Sequence, residues 1–286
     1  MSFRQITIVG TGLIGGSFGL AARKAGFTGR IVGCDREHVL SRARDFGAID
    51  DGVIAPEDAV RGSDLVLLAT PVGSIIDLIE RIGPLVPPEA LITDVGSTKS
   101  EIMARAREVF GNNVASRFLP GHPMAGKEHS GVEYADGRLF DGAVWLLTPY
   151  PEQKPENDPK LAAFTSLVDK FGARLISIDA AEHDRVCALV SHLPQMVSTA
   201  FASTLVEELG DDPQTGAIGG RALREMTRIA GSPYSMWRDI ALTNTKNIQD
   251  ALLKLEQKLA HIRENLRTRE LEEEFHRAHQ LGKKSR

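Results

Sequence analysis

A histidine in an unusual local setting is the first residue of this chain that could do chemistry. His122 stands between Gly121 and Pro123, within the stretch FLPGHPMAGKEHSG at residues 118–131. Glycine and proline are typical of turns, so we predict that His122 is held on a loop rather than packed inside a helix. Because an imidazole titrates near neutral pH, it is suited to take the proton of a reacting hydroxyl group. The alternative is a loop histidine that bonds only to the backbone.

A glycine-rich segment near the N-terminus indicates a dinucleotide site. The stretch VGTGLIGG puts Gly10, Gly12 and Gly15 at the three positions of G-x-G-x-x-G, after a β-branched run and before an apolar, helix-like segment. In such sites the first glycine allows a tight turn, the second lets a pyrophosphate approach, and the third lets the helix pack closely on the sheet. Leu13 and Ile14, between these glycines, are predicted to contact the dinucleotide as well.

A carboxylate at the end of the second predicted strand favours NAD as that dinucleotide. Asp35 follows Gly15 by about 20 residues, where a carboxylate accepts hydrogen bonds from a ribose 2′-hydroxyl. Asp35 would repel the 2′-phosphate of NADP, whereas the neighbouring Arg36 could pair with that phosphate if the carboxylate turned away. Both residues are therefore predicted to contact the cofactor, and a different nucleotide, or none, stays open as an alternative.

Two more predicted strands end in residues directed at the same site. The stretch ATPVG puts Thr70 and Pro71 at the end of one strand, and DVGSTK puts Ser97 at the end of the next. Ligands of open α/β sheets bind at the carboxyl ends of the strands. We therefore predict that all three residues contact the cofactor. Ser97 could equally serve only as a helix cap.

The first part of the chain predicts the sheet that would position these residues. Up to residue 178, short β-branched runs alternate with helix-length segments, which indicates βαβ units and a mostly parallel, Rossmann-like sheet. The predicted strands cover residues 5–10, 30–35, 65–70, 91–96, 116–121, 143–149 and 173–179. Residues 150–159 are rich in proline and charge and are predicted to form an exposed connection. We assign residues 1–178 to an NAD-binding domain.

Residues 179–286 predict a second, all-helical domain. A long helix is expected over residues 181–209, with a kink at Pro194 close to His192. A second long helix is expected to begin near Ser232 and Pro233. Apolar residues in it follow an a/d heptad spacing, namely Ile248, Leu252, Leu255, Leu259, Ile262 and Leu266.

This apolar seam predicts a homodimer. A small domain of long helices buries little apolar surface by itself, so a second copy of the chain is the simplest partner for the seam. The charged residues after Leu266 are expected to form a solvated helix end that frays.

Composition narrows the classes of partner. The chain has 286 residues, 42% of them hydrophobic, with 34 Lys and Arg against 38 Asp and Glu, for a net charge of −4. Such a balance predicts a small-molecule substrate rather than nucleic acid or a membrane. The N-terminal sequence shows no secretory signal, so we expect a cytoplasmic protein. Cys34 and Cys187 are far apart without C-x-x-C spacing, so neither a disulfide framework nor a metal site is predicted.

Five segments together resemble one enzyme family. VGTGLIGGSFGLA, DVGSTKSEI, PGHPMAGKEHSG, HDRVCALVSHLPQMVS and MTRIAGSPYSMWRDI occur in this order over nearly the whole chain, and they resemble the prephenate and arogenate dehydrogenases, the TyrA family of tyrosine biosynthesis. The resemblance implies NAD-dependent oxidative decarboxylation, either of prephenate to 4-hydroxyphenylpyruvate or of arogenate to tyrosine. It also implies a Rossmann-like domain followed by a helical domain that builds an intertwined dimer.

The resemblance also implies roles for individual residues. His122 matches the family's catalytic histidine, and Ser97 matches a serine that contacts the substrate hydroxyl next to the nicotinamide. Arg228 matches an arginine that binds a substrate carboxylate, a task suited to a guanidinium. Trp237 matches a tryptophan at the active-site entrance, and Asp184 matches part of the polar network that closes the site.

Two departures from the family pattern affect the substrate. Gln195 replaces a histidine that helps to hold the substrate side chain in several prephenate-active members, and Glu225 stands where a relative has aspartate. Because a glutamine both donates and accepts hydrogen bonds, prephenate and arogenate both stay open. Two other functions are also open: another Rossmann reductase with a helical dimer domain, acting on an imine or β-hydroxyacid, and a non-catalytic NAD-binding regulator.

Overall fold

A six-stranded parallel sheet forms the centre of the N-terminal part. The structure, a computed structural model, describes residues 3–127, 129–154, 158–210 and 217–284. The strands are β1 (Gln5–Val9), β2 (Arg30–Cys34), β3 (Asp51–Val53), β4 (Leu65–Leu68), β5 (Leu91–Asp94) and β6 (Phe118–Leu119), in the spatial order β3-β2-β1-β4-β5-β6. This order, with every pair parallel, is that of a Rossmann fold and confirms the predicted fold class.

Helices pack on both faces of this sheet, so its central strands are apolar on both sides. All four residues of β4 are fully buried. The helices of this part are α1 (Leu13–Lys24), α2 (Glu37–Asp45), α3 (Pro56–Ala59), α4 (Val72–Ile82), α5 (Ser100–Phe110), α6 (Val114–Arg117) and α7 (Pro159–Asp169). Strand β3 was not predicted, because its three residues are Asp, Gly and Val and are only partly buried.

The last two predicted strands, and part of the one before them, do not extend this sheet as expected. A separate three-stranded sheet contains β7 (Gly121–Pro123), β8 (Val144–Leu147) and β9 (Arg174–Ser177), with β7 antiparallel to β8 and β8 parallel to β9. Pro120 divides the predicted strand 116–121 between the two sheets, since proline has no N–H for a ladder. Its carbonyl accepts a hydrogen bond from the Thr148 N–H instead, at 3.1 Å.

The predicted exposed connection at residues 150–159 is partly wrong. Tyr150 and Gln153 are buried. The Gln153 amide donates to the carbonyls of Ala115 and Phe118, at 2.8 and 2.9 Å, so it anchors the segment next to β6. Residues 155–157 lie outside the described part of the chain.

The described residues after β9 are mainly helical. The helices are α8 (Ala180–Cys187), α9 (Leu193–Leu209), α10 (Arg221–Ala230), α11 (Tyr234–Thr243), α12 (Thr245–Glu264) and α13 (Arg269–Lys284). A π-helical turn, Ala188–His192, joins α8 to α9 directly before Pro194. The disturbance predicted around His192 is therefore present, as a widened turn within a continuous helical segment.

The single long helix predicted from Ser232 is wrong, because Asn244 divides it into α11 and α12. The Asn244 side chain donates to the backbone carbonyl of Asp184 at 2.8 Å, which ties the break to α8. The predicted seam is also shorter than expected: α12 ends at Glu264, so Leu266 lies beyond it. The charged tail forms a separate, mostly exposed helix, α13, whose Glu274 pairs with Lys258 of α12 at 2.8 Å.

Large apolar side chains remain exposed on the helical region. Ile248 of the seam is buried, whereas Leu259 is 54% exposed. Other apolar side chains that are more than half exposed here are Val190, Val206, Leu209, Ile218, Tyr234, Leu242, Leu253, Leu266, Phe275 and Leu281. Exposed apolar surface on this scale marks an interaction surface. No helix in the described part of the chain is long and apolar enough to span a membrane.

Candidate active site

The loop between β1 and α1 has the geometry of a dinucleotide site. Gly10 has φ +93°, and a Cβ placed there would lie 2.5 Å from the Ala69 carbonyl oxygen. A Cβ on Gly15 would lie 1.9 Å from the Gly10 carbonyl oxygen, so α1 could not approach the loop with any other residue there. By contrast, a Cβ on Gly12 would meet no described atom within 4 Å. The loop therefore leaves open space where the fingerprint predicts a pyrophosphate.

Asp35 lies beside this loop at the end of β2. Its carboxylate accepts hydrogen bonds from the backbone N–H groups of Thr11 and Arg36, at 2.9 and 2.8 Å. These contacts hold the carboxylate at the place expected for ribose recognition. The Arg36 side chain is 78% exposed, and its Nε lies 3.9 Å from Asp35. The residues present thus fit NAD, since a 2′-phosphate would approach a fixed negative charge.

A cavity of about 580 Å³ lies between the carboxyl ends of the strands and the helical region. It brings together seven of the predicted site residues, namely Leu13, Ile14, Thr70, Pro71, Ser97, His122 and Trp237. Further lining residues that the sequence did not single out include Met124, Lys127, Ser191, Ser235, Met236 and Ile240. The cavity therefore joins the dinucleotide loop, two strand ends, β7, the π-helical turn before α9 and the helix α11 in one site.

His122 lies on the short strand β7, so the predicted loop position is wrong. Residues 121–123 pair with 145–147 of β8, and His122 itself is opposite Leu146. A Cβ on Gly121 would lie 2.8 Å from the Trp145 indole nitrogen, so this glycine is required for close packing. The imidazole is only 8% exposed and still forms part of the cavity wall. The strand, rather than a turn, provides the rigid support.

A chain of hydrogen bonds behind His122 sets the tautomer of its imidazole. Asp184 Oδ1 is 2.9 Å from His183 Nδ1, and His183 Nε2 is 3.0 Å from His122 Nδ1. The carboxylate can only accept, so His183 Nδ1 carries its proton and His183 Nε2 accepts from His122 Nδ1–H. His122 Nε2 is therefore left with its lone pair. This is the protonation state that a general base needs.

Asp184 also positions the helix that follows Ser97. Its two carboxylate oxygens accept from the backbone N–H groups of Lys99 and Ser100, at 2.7 and 2.9 Å, at the N-terminus of α5. One buried carboxylate thus sets the tautomer of His122, through His183, and also holds the loop that carries Ser97. Its pKa is lowered by these hydrogen bonds, which outweigh the opposing effect of burial.

A buried ion pair lies beneath the same site. Lys99 and Asp94 are both fully buried, and the Lys99 ammonium contacts the Asp94 carboxylate. Asp94 also accepts from the N–H groups of Gly96 and Gly121, at 2.8 and 3.2 Å, so it connects β5 to β7. Burial lowers the pKa of Lys99, an effect that the adjacent Asp94 opposes. The pair holds the Ser97 loop and the His122 strand in a fixed relation.

The electrostatic surroundings keep the His122 imidazole neutral. Burial is the main cause that lowers its pKa well below 6.5, and the nearby His183 and Lys99 add to the effect. A buried cation next to Lys99 would be costly, so the neutral form dominates at neutral pH. A neutral imidazole with a free Nε2 lone pair can accept a proton.

Three predicted substrate residues do not line the cavity. Asp184 lies behind His183, as described above. Gln195 is buried on α9, with its amide 3.3 Å from Thr199 Oγ1. Arg228 lies on α10, where it pairs with Glu225 at 3.1 Å and keeps a half-exposed side chain. Within one chain these three side chains therefore lie outside the lining of the described cavity.

His183 and Asn244 are two functional residues that were not predicted from the sequence. His183 is fully buried and contacts His122. The adjacent His-Asp pair was a signal for it. Asn244 donates towards His192 Nδ1 at 3.2 Å. No sequence pattern indicated that contact, because its partner lies about 50 residues away in the chain.

Comparison with known proteins identifies relatives over most of the chain. Residues 18–177 match the family model of the prephenate dehydrogenase nucleotide-binding domain, and residues 179–281 match that of the prephenate dehydrogenase dimerization domain. The prephenate dehydrogenase of Lactococcus lactis subsp. cremoris is 36% identical over 84% of this chain, and that of Bacillus subtilis is 34% identical over 86%. The chain spans 65% of the length of each of these two proteins.

Solved structures share the whole architecture. The crystal structure of prephenate dehydrogenase from Aquifex aeolicus in complex with hydroxyphenyl propionate and NAD⁺ has a TM-score of 0.85 and 33% identity, covering 100% of this chain and 98% of that chain. The Synechocystis arogenate dehydrogenase has a TM-score of 0.78 and 26% identity, covering 99% of this chain and 100% of that chain.

Proposed function

The chain belongs to the prephenate dehydrogenase family, and from that premise we propose that it is an NAD-dependent dehydrogenase of prephenate or arogenate. It would catalyse an oxidative decarboxylation that yields 4-hydroxyphenylpyruvate or tyrosine, as a step of tyrosine biosynthesis. The observation that carries the proposal is that Ser97 and His122 line one cavity together with the dinucleotide-loop residues Leu13 and Ile14. The base, His122, and the hydride acceptor, NAD, would then both face the substrate carbon that carries the hydroxyl group.

The cofactor would be held by Gly10, Gly12, Gly15 and Asp35. Further contacts would come from Leu13, Ile14, Arg36, Thr70, Pro71 and Ser97. NAD, when bound, would accept the hydride and so supply the oxidising power. The chain contributes the remaining parts of the reaction, which are orientation of the substrate, transfer of a proton and exclusion of water.

His122 acts as the general base in this proposal. As hydride leaves the carbinol carbon, His122 Nε2 takes the proton of the hydroxyl on that carbon, and Ser97 hydrogen-bonds the same oxygen. The bond between the ring and its carboxylate then breaks, carbon dioxide leaves, and the electron pair of that bond completes the aromatic ring, whose oxygen takes the proton back from His122. The His183–Asp184 pair stabilises the positive charge that His122 gains, because Asp184 is a carboxylate two hydrogen bonds away.

The helical region would bind the part of the substrate remote from the ring. In this proposal Arg228 binds a substrate carboxylate and Gln195 binds the substrate side chain. Trp237 lies at the entrance of the active site. Gln195 carries both a donor and an acceptor, so it suits a keto acid or an amino acid. Arg228 and Gln195 lie away from the cavity of one chain, so we expect dimer formation to complete the site.

The proposal divides the chain at residues 178 and 179 into an NAD-binding domain and a helical domain for substrate binding and dimerisation. The exposed leucines of α12 support a homodimer through the second domain. The net charge of −4 supports a small-molecule substrate over nucleic acid.

The experiment that tests the function combines both substrates with both cofactors. Purified protein is incubated with prephenate or arogenate, and with NAD or NADP, while absorbance of the reduced cofactor is followed. We expect turnover with NAD and at least one of the two substrates. An imine or β-hydroxyacid reductase would be inactive with both, and a non-catalytic regulator would bind NAD without reducing it.

A further inference from the structure

The thiol of Cys187 lies next to the catalytic histidine chain, and the proposed mechanism does not use it. Its Sγ is 3.6 Å from His183 Nε2, which is itself 3.0 Å from His122 Nδ1. These two ring nitrogens and the sulfur all lie within 4.8 Å of one another, and all three residues are buried. Two imidazole nitrogens and a thiolate are ligands that zinc and other thiophilic divalent cations prefer.

The spacing of the three atoms is close to that of a tetrahedral site. With bonds of about 2.0 Å to nitrogen and 2.3 Å to sulfur, ligand atoms at tetrahedral angles lie about 3.3–3.6 Å apart. The two separations that involve His183 Nε2, 3.0 and 3.6 Å, are close to these values. The third, between Cys187 Sγ and His122 Nδ1, is within 4.8 Å, so small shifts of the rings and the thiol would bring all three atoms to tetrahedral spacing. His122 borders the cavity whereas His183 and Cys187 do not, so a cation from the cavity would enter past the His122 ring.

The charges around the cluster suit a divalent ion. Three charged side chains are buried around His122, His183 and the Ser97 loop, namely Asp94, Lys99 and Asp184. Their formal charges add up to −1. A Cys187 thiolate would bring that sum to −2. A bound divalent cation would then leave no net buried charge, which removes the main cost of placing an ion there.

We propose that His122, His183 and Cys187 form a binding site for a thiophilic divalent cation such as Zn²⁺, and that the bound ion inhibits the enzyme. Inhibition is expected because the bound ion changes the tautomer of His122. A cation bound to Nδ1 of His122 displaces the proton from that nitrogen, and the neutral ring then carries its proton on Nε2. Nε2 becomes a donor and can no longer act as a base. Binding does not rest on the proposed function, whereas inhibition does.

Binding is tested first, with Cd²⁺ as a probe and without any enzyme assay. A thiolate bound to Cd²⁺ gives a ligand-to-metal charge-transfer absorption in the ultraviolet. We expect this band to saturate at one ion per chain in the wild-type protein and in Cys34→Ala, which removes the other cysteine. The band should be lost in Cys187→Ala. Absence of the band in the folded wild-type protein, or its survival in Cys187→Ala, overturns the site.

Inhibition is tested next, with Zn²⁺ at concentrations fixed by a chelating buffer. We expect kcat to fall while the Michaelis constant changes little, and full recovery after EDTA. Cys187→Ala should keep the wild-type kcat and need at least ~10-fold more Zn²⁺ for the same inhibition, since one of three ligands is lost. Equal sensitivity of both proteins overturns the inference. Cys187→Ser, checked by circular dichroism, replaces the alanine variant if that variant does not fold.

The two tests separate the two proposals. If the protein turns over neither prephenate nor arogenate, the proposed function fails and the Cd²⁺ band still decides the binding site. If turnover is normal and the band is absent, only the metal site fails.

Discussion

The sheet region and the helical region differ in how completely one chain buries its apolar side chains. In the sheet region, β4 and the residues that pack on it are almost entirely buried. In the helical region, the buried apolar cluster contains only Ala188, Ile240 and Ile248 among the described residues. The first region is stabilised by contacts within one chain, whereas the second presents apolar surface for another.

The same contrast holds for the site. The sheet region supplies the strand of His122, the Ser97 loop and the dinucleotide loop, all in place in one chain. The helical region supplies His183 and Asp184, which contact His122 and α5 directly, and also Arg228 and Gln195, which do not reach the cavity. We therefore expect changes in the sheet region to affect kcat, and changes in the helical region to affect assembly and substrate affinity.

The largest effect is expected at His122. His122→Asn removes the base, so kcat should fall about 10³-fold, or ~4 kcal/mol, while the Michaelis constant for substrate changes little. Steady-state kinetics with saturating NAD give both values. His276→Asn, on exposed α13, is the control and should retain the wild-type kcat. An unchanged rate in His122→Asn would remove this residue from the role of base.

The next effect is expected at the exposed seam of α12. Leu259→Glu should weaken the homodimer by roughly 3 kcal/mol, because a leucine is lost from each of two copies, which corresponds to at least ~100-fold in the dissociation constant. Sedimentation velocity over a range of concentrations measures this constant. Phe46→Glu makes the same kind of change at a side chain that is 50% exposed in the sheet region. Equal effects of both variants would contradict an interface confined to the helices.

Acid should destabilise the helical region through His192. Burial lowers its folded-state pKa to about 4, against about 6.5 in an unfolded chain. The neutral ring therefore contributes stability that is fully present above pH 6.5 and is lost as pH falls towards 4. At pH 5 the loss is about 2 kcal/mol in the free energy of unfolding. Urea titrations at pH 7 and pH 5 measure the free energy of unfolding at each pH. Its decrease between the two pH values should be smaller in His192→Asn than in wild type, and an equal decrease would refute this prediction.

Arg228 should affect substrate affinity rather than turnover. Loss of a charged hydrogen bond to a substrate carboxylate in Arg228→Ala is expected to cost about 2 kcal/mol, so the Michaelis constant should rise about 30-fold at nearly constant kcat. Arg224→Ala, one helical turn earlier on α10, is the control. A normal Michaelis constant in Arg228→Ala would place the carboxylate elsewhere.

The smallest effect is expected at His183, where the helical region does act on kcat. His183→Leu removes both hydrogen bonds of the ring, and we expect kcat to fall about tenfold, or ~1.4 kcal/mol, at constant Michaelis constant. His183→Gln keeps an acceptor that can face His122 Nδ1, and it should recover most of the loss. If the glutamine variant is as slow as the leucine variant, His183 does not set the tautomer.

The difference between the two regions also explains what could be predicted from the sequence. The glycine fingerprint, the strand ends and Ser97 were predictable because each depends on local spacing and on the general geometry of parallel sheets. The strand β7 was missed because Gly121 and Pro123 suggested a turn, whereas pairing with the distant β8 decided the structure. Asn244 and His183 were missed for the same reason, since their partners are far away in the chain.

In the proposed reaction, hydride transfer and decarboxylation occur at one site in one turnover. The most direct test measures reduced NAD, carbon dioxide and the aromatic product in the same reaction, with whichever of prephenate and arogenate is turned over. We expect equal amounts of all three, with no reduced NAD formed when substrate is omitted. Reduced NAD without carbon dioxide and an aromatic product, or no reduction with either substrate, would contradict it.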